Sequence, residues 1–185
     1  MNRNNNEPKI LLDSDVVRHF INGNQLLVLS GIFPNRFVML DKVKNELCRS
    51  KSIVLQVNNF LTMTRVPVIP FPSDRVILKE YAILSREFGE GESACMAVAR
   101  HQQQFIASSN LKDISKYCKM HGITYLTTMD ILLEAFNKGI LTKAQCDTFI
   151  QDVKANGSKL PCNTLDEFIR QNNVPLTTPP ELSLA

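Results

Sequence analysis

The chain has 185 residues, of which 44% are hydrophobic and 21% charged, and carries a formal net charge of +3. That length suits one domain around one buried core and is short for two, and no apolar run approaches the ~20 residues needed to cross a bilayer. The mild positive charge permits a polyanionic partner without arguing for one. Arg36, Lys42, Lys44, Arg49 and Lys51, the nearest thing to a basic patch, read by themselves as a solvated face.

Residues 1 to 8 are polar and lack the apolar stretch of a secretion signal, so they read as a flexible N-terminal segment of a cytoplasmic protein. Five scattered cysteines, an odd number with no CxxC pair, suit reduced thiols buried as small hydrophobes. Ile10-Leu11-Leu12 predicts a short buried strand, and Val16, Val17, Phe20 and Ile21 recur at helical spacing just after it. Asp13 therefore stands where a strand becomes a helix. In an open parallel sheet, that edge is where ligands bind.

Gln25 to Phe33 predicts a second short helix, broken by Pro34-Asn35, before a strand over Arg36 to Leu40. Asp41 is the expected N-cap of a helix running to about Arg49, with Val43, Leu47 and Glu46 on one stripe. Residues 51 to 63 predict another helix. Val66-Pro67-Val68-Ile69-Pro70 predicts a strand that its prolines confine to an edge. Ser73 or Asp74 opens a long helix with Val76, Ile77, Tyr81, Leu84 and Phe88 inward, closed by Gly89-Glu90-Gly91.

Glu92 to Arg100 predicts a small-residue helix suited to close packing on a sheet, with Glu92 on the stripe of Cys95, Met96 and Ala99. Phe105 to Ser109 is the next strand, and Ser109 or Asn110 caps a helix that Gly122 ends. Ile123 to Leu126 is the last strand. Thr127 or Thr128 leads into a helix stopped by Gly139, and Thr142 opens one more through Val153.

Strands alternating with helices over residues 9 to 156 predict a three-layer α/β/α domain on a mostly parallel sheet. Residues 157 to 185 form a C-terminal extension, with a short helix at Leu165 to Ile169 and a flexible tail from Val174.

On this arrangement Asp13, Glu46 and Glu92 can converge at one sheet edge. Buried carboxylates repel one another, so such a cluster persists where a cation neutralises it, and hard ions such as Mg²⁺ prefer oxygen ligands. Each acid also has a structural role open to it: Asp13 or Asp15 as an N-cap, Glu92 as a first-turn acid, Glu46 as a surface charge.

The ordered set resembles the PIN-domain ribonucleases over residues 9 to 156. The matching segments are Ile10 to Val16 for the opening hydrophobic-Asp-[Ser/Thr] motif, Asp41 to Leu47 for the helix bearing the second acid, and Gly91 to Ala99 for the Gly-Glu helix. Ile123 to Thr128 with Ile131 to Leu141 match the closing strand and helix.

The resemblance implies a PIN-like fold and a metal-dependent endoribonuclease, toxin-like or regulatory, that hydrolyses phosphodiester bonds in single-stranded RNA. Asp13, Glu46 and Glu92 would hold Mg²⁺ or Mn²⁺, with an antitoxin-like protein or a second copy as possible partners. The family keeps aspartates after the strand that here ends in Ser108-Ser109-Asn110, so Asn110 takes the fourth catalytic place and Ser109 an auxiliary one. Asp15, Asp113 and Asp130 are the remaining auxiliary candidates.

Two alternatives stand beside this. One is a PIN-like module, weakened in catalysis, that binds RNA or protein. The other is a haloacid-dehalogenase-like phosphatase, which the Asp13-Ser14-Asp15 start resembles, although Ser108-Ser109-Asn110 lacks the later aspartate pair that it needs. His19, His101 and His121 share no ligand spacing, and Cys118 with His121 is a lone pair at a helix end.

Overall fold

The structure, a computed structural model, describes residues 7 to 172, apart from the side chains of Leu111 and Asp113. The tail expected from Val174 lies outside the described residues. Those residues form five strands and ten α-helices, with one or two helices between successive strands and three after the last.

β1 (Ile10–Leu12) and β2 (Phe37–Leu40) are buried at every position, as strands covered on both faces must be. β4 (Phe105–Ala107) pairs with the other side of β1, and β3 (Val68–Ile69) and β5 (Tyr125–Leu126) close the two edges. All pairings are parallel, in the order β3-β2-β1-β4-β5. This is the expected α/β/α domain, and Pro67 and Pro70 flank an edge strand as anticipated. Strand order reverses between β1 and β4, so the crevice outside their carboxyl ends is the topological switch point. In register, Leu12 lies opposite Ala107. Asp13 and Ser108 therefore leave the sheet side by side.

Helix α1 (Ser14–Asn22) follows β1, and Asp13 is its N-cap. A 3₁₀ turn and α2 (Leu29–Ile32) lead to β2, then α3 (Asp41–Cys48) and α4 (Val54–Thr64) to β3. Asp41 is the first helical residue of α3 rather than its cap. Its carboxylate accepts from the Lys42 N–H at 2.7 Å and the Phe71 N–H at 3.1 Å, which ties α3 to the segment after β3.

Asp74 caps α5 (Arg75–Leu84) by accepting from the Val76 and Ile77 N–H groups. Two expectations need correction here. α5 ends at Leu84, with turns at residues 85 to 88 spacing it from the next helix, and Val76 is 57% exposed while Ile77 and Leu84 take the core.

α6 (Glu90–Gln102) is buried from Gly91 to Ala99 and packs against β1, β2 and β4. Its Gly, Ser, Ala and Cys side chains are what permit so close an approach. α7 (Leu111–His121) ends at Gly122, which adopts φ +64, and joins β4 to β5. Thr127 and Thr142 open α8 (Thr128–Asn137) and α9 (Lys143–Ala155) with capping boxes closed by Asp130 and Gln145.

The chain past residue 156 shares the same core. Leu160, Cys162 and, on α10 (Leu165–Gln171), Leu165, Phe168 and Ile169 are buried in it, with α10 against α8 and α9. Four of the five cysteines are buried, Cys48 is half-buried, and all are free thiols. No described helix is long and apolar enough to cross a membrane.

Candidate active site at the sheet switch point

Asp13 is 3% exposed. Its backbone N–H continues the ladder to Ala107 at 2.9 Å, and its Oδ1 accepts from the Ser14 N–H at 2.7 Å. The need to cap α1 thus fixes a carboxylate at the centre of the carboxyl edge. Burial holds this carboxyl well above the usual range, Asp15 and then Glu92 push it further, and the Ser14 N–H and Ser108 hydroxyl pull it back only in part.

Asp15 is the anchor of the loop after β4. Its Oδ2 accepts from the Ser109 N–H at 2.7 Å and the Ser108 hydroxyl at 3.3 Å, while Oδ1 accepts from Val16. Burial raises its pKa, and these donors oppose the shift. An aspartate at this place can hold the loop only because β4 lies next to β1, which no local pattern reveals.

Glu46 reaches in from α3. Its Oε1 accepts from the Ser14 hydroxyl at 2.6 Å and its Oε2 from the Gly91 N–H at 3.0 Å, so one half-buried carboxylate bridges the first turns of α1 and α6. Both helix N-termini favour negative charge there. Gly91 makes the approach possible, since a Cβ on it would lie 2.7 Å from Glu46 Oε2.

Glu92, 9% exposed in the first turn of α6, accepts from the Asn110 amide at 3.5 Å. The structure thus brings Asp13, Asp15, Glu46, Glu92, Ser109 and Asn110 to one edge. All four acids act on a single buried thiol: Cys95, whose pKa is raised well above its ordinary value by burial and then by Asp13, Asp15, Glu46 and Glu92.

One auxiliary candidate, Asp130, serves a helix cap instead. Its Oδ2 accepts from the Thr127 N–H at 2.8 Å and the Thr127 hydroxyl at 2.6 Å as the closing half of that cap. The side chain of Asp113 lies outside the described ones.

Ser14, Gly91, Ser108 and Thr128, which the sequence marks only as motif members or a helix start, also hold the site together. Thr128 Oγ1 accepts from Ser109 at 2.7 Å and lies 2.8 Å from His19 Nδ1, so a buried polar chain supports the loop from behind. The only signal available in the sequence was small polar residues beside acids, which is common everywhere.

As placed, no group of three or more His, Cys, Asp or Glu side chains among the described residues is set to hold a metal ion. The bonds from Ser14 and Gly91 already engage both oxygens of Glu46. The donors at the edge are nonetheless all hard oxygens, and Mg²⁺ needs only one or two carboxylates when waters and substrate phosphate complete its shell. Asp13 and Glu92, mutually repelling and buried, fit that requirement.

Fold and site together define an α/β protein with a parallel sheet and a cluster of buried and half-buried acids at its switch point. No protein-family model matches the sequence, and no curated protein matches it either.

Proposed function

We propose that the chain is a PIN-like, Mg²⁺- or Mn²⁺-dependent endoribonuclease acting on single-stranded RNA in the cytoplasm. The observation that carries this reading is the gathering of acids, Asp13 and Glu92 buried among them, at the carboxyl edge of the sheet. Asp13 is buried beside Asp15 and Glu92 at the one place in the sheet where ligands are expected, and burial and repulsion both disfavour its ionised form. A divalent ion would relieve that repulsion.

Asp13 and Glu92 would hold the ion, with Glu46 and Asn110 beside them. Such an ion supplies stabilisation of charge on a phosphoryl oxygen and activation of water. The chain's own contribution is orientation. Asp15 and Thr128 fix the Ser108–Asn110 loop, Glu46 clamps the two helix starts, and the Asn110 amide, already on Glu92, can donate to a phosphate oxygen.

The decisive experiment is Mn²⁺ titration by calorimetry with a parallel cleavage assay on labelled single-stranded RNA, for the parent and Asp13→Asn. The parent should bind Mn²⁺ and cut, and the variant should do neither well. Equal cleavage by both would overturn the assignment.

One observation favours a second reading, a binding module without catalysis. The loop after β4 offers only two hydroxyls and an amide, with no carboxylate among them, and Glu46 has both oxygens occupied. A protein partner, inhibitor or second copy, would find exposed apolar side chains at Leu55 and Met63 on α4 and at Val76 and Ile83 on α5.

A further inference from the structure

The carboxyl ends of β4 and β5 open onto a second cavity of about 610 Å³, beside the acids and walled on its far side by the C-terminal extension. That volume lies within the range of small-ligand pockets. Its lining mixes polar and apolar groups: Met129, Leu160 and Phe168 are buried in its wall, Gln171 and Asn172 are exposed, and the half-buried side chain of Tyr125 on β5 is aromatic. Lys159, exposed, is the only cation among the described residues that line it. The acid in the lining, Asp130, is engaged as the helix cap described above.

Ser109 joins this cavity to the acids: it lines the cavity, its N–H holds Asp15 at 2.7 Å and its hydroxyl donates to Thr128. A ligand spanning both must present negative charge at regular intervals with a flat apolar group between. An aromatic side chain, a lining of mixed polar and apolar groups and a single outlying ammonium suit a base with its phosphate. They do not suit a chain of carboxylates, which would need more cations.

Resting on the reading above, we propose that this cavity receives one unpaired nucleotide of a single-stranded polynucleotide. Its base lies against Tyr125 and its phosphate near Lys159, adjoining the phosphate presented to Asp13 and Glu92. The extension past residue 156 then forms part of the substrate site, and single strands are favoured because a base already paired and stacked in a duplex has no free face to lay against Tyr125.

The test measures binding apart from cleavage. A short fluorescein-labelled single-stranded oligoribonucleotide is titrated by anisotropy without divalent ions, against the parent, Tyr125→Ala, Tyr125→Phe, Lys159→Glu and Asp13→Asn. Tyr125→Ala and Lys159→Glu should each weaken binding about tenfold, the scale of one stacked base or one lost phosphate contact. Tyr125→Phe should bind as the parent does, Asp13→Asn should bind at least as well, and the same sequence as a duplex should bind more weakly. If the parent cuts RNA but neither Tyr125→Ala nor Lys159→Glu alters binding, the subsite is refuted while the nuclease reading stands. A parent that neither binds nor cuts single strands overturns both.

Discussion

Replacing Gly91 by alanine tests whether Glu46 is held as the structure shows. The added methyl carbon would lie 2.7 Å from Glu46 Oε2 and 3.2 Å from Val43 Cγ2. The carboxylate is the far end of a flexible side chain and can swing aside, so the cost is the loss of its bonds to the Gly91 N–H and the Ser14 hydroxyl rather than the overlap itself. Hydrogen bonds to a charged group are worth about 1.5–3 kcal/mol each, and partial exposure puts these toward the lower end. Alanine returns at most about 1 kcal/mol of helix propensity.

The net loss should be about 1–3 kcal/mol, which for a chain of this size lowers the melting temperature by roughly 3–10 °C. Gly31→Ala, where a Cβ meets nothing within 4 Å, should melt at or slightly above the parent. In a Glu46→Ala background Gly91→Ala should become nearly neutral, the non-additivity expected of touching residues. Calorimetric melting of the four variants decides it. A Gly91→Ala protein as stable as the parent, or a full additive loss in the double variant, would refute the bridge.

Asp13→Asn should stabilise the fold at neutral pH, because the amide keeps the cap on Ser14 and removes a buried charge. Asp13 has a folded pKa above its ordinary 3.8, so its contribution to stability is complete below that value and is lost as pH rises through the folded one; the gain in denaturant midpoint should vanish in acid and grow above it. His19 runs the other way. Burial lowers it from 6.5 to about 4, so the fold keeps it neutral, and stability should fall by roughly 3 kcal/mol as pH drops from 6.5 to 4, a slope that His19→Gln should flatten in urea titrations. Asn110→Asp would put a charge beside Glu92 and should tighten Mn²⁺ binding by calorimetry about tenfold, near 1.4 kcal/mol, whereas unchanged affinity would place the ion away from this loop.

Local order was written in the chain. Apolar runs buried on both faces marked β1 and β2, the prolines around Val68 marked an edge, and Thr142 and Gly122 marked a helix start and stop, because periodicity and capping act over a few residues. The sequence also determined which acids are oddly placed for surface residues, Glu46 beside Val43 and Glu92 among small apolar side chains.

Only the tertiary structure decided what those acids face. Setting β4 beside β1 brings Ser108–Asn110 to Asp13 and makes Asp15 a loop anchor, and the packing of α3 on α6 gives Glu46 to Gly91. Asp130 went to a cap because Thr127 lies three residues away, and Val76 turned outward because α5 buries the Ile77–Leu84 face instead. Strand order and helix packing join residues some 30 to 95 positions apart, such as Ser14 with Glu46 and Asp15 with Ser109. Contacts of that separation leave no period in the sequence, so the same acids could have been scattered or gathered until the sheet was assembled.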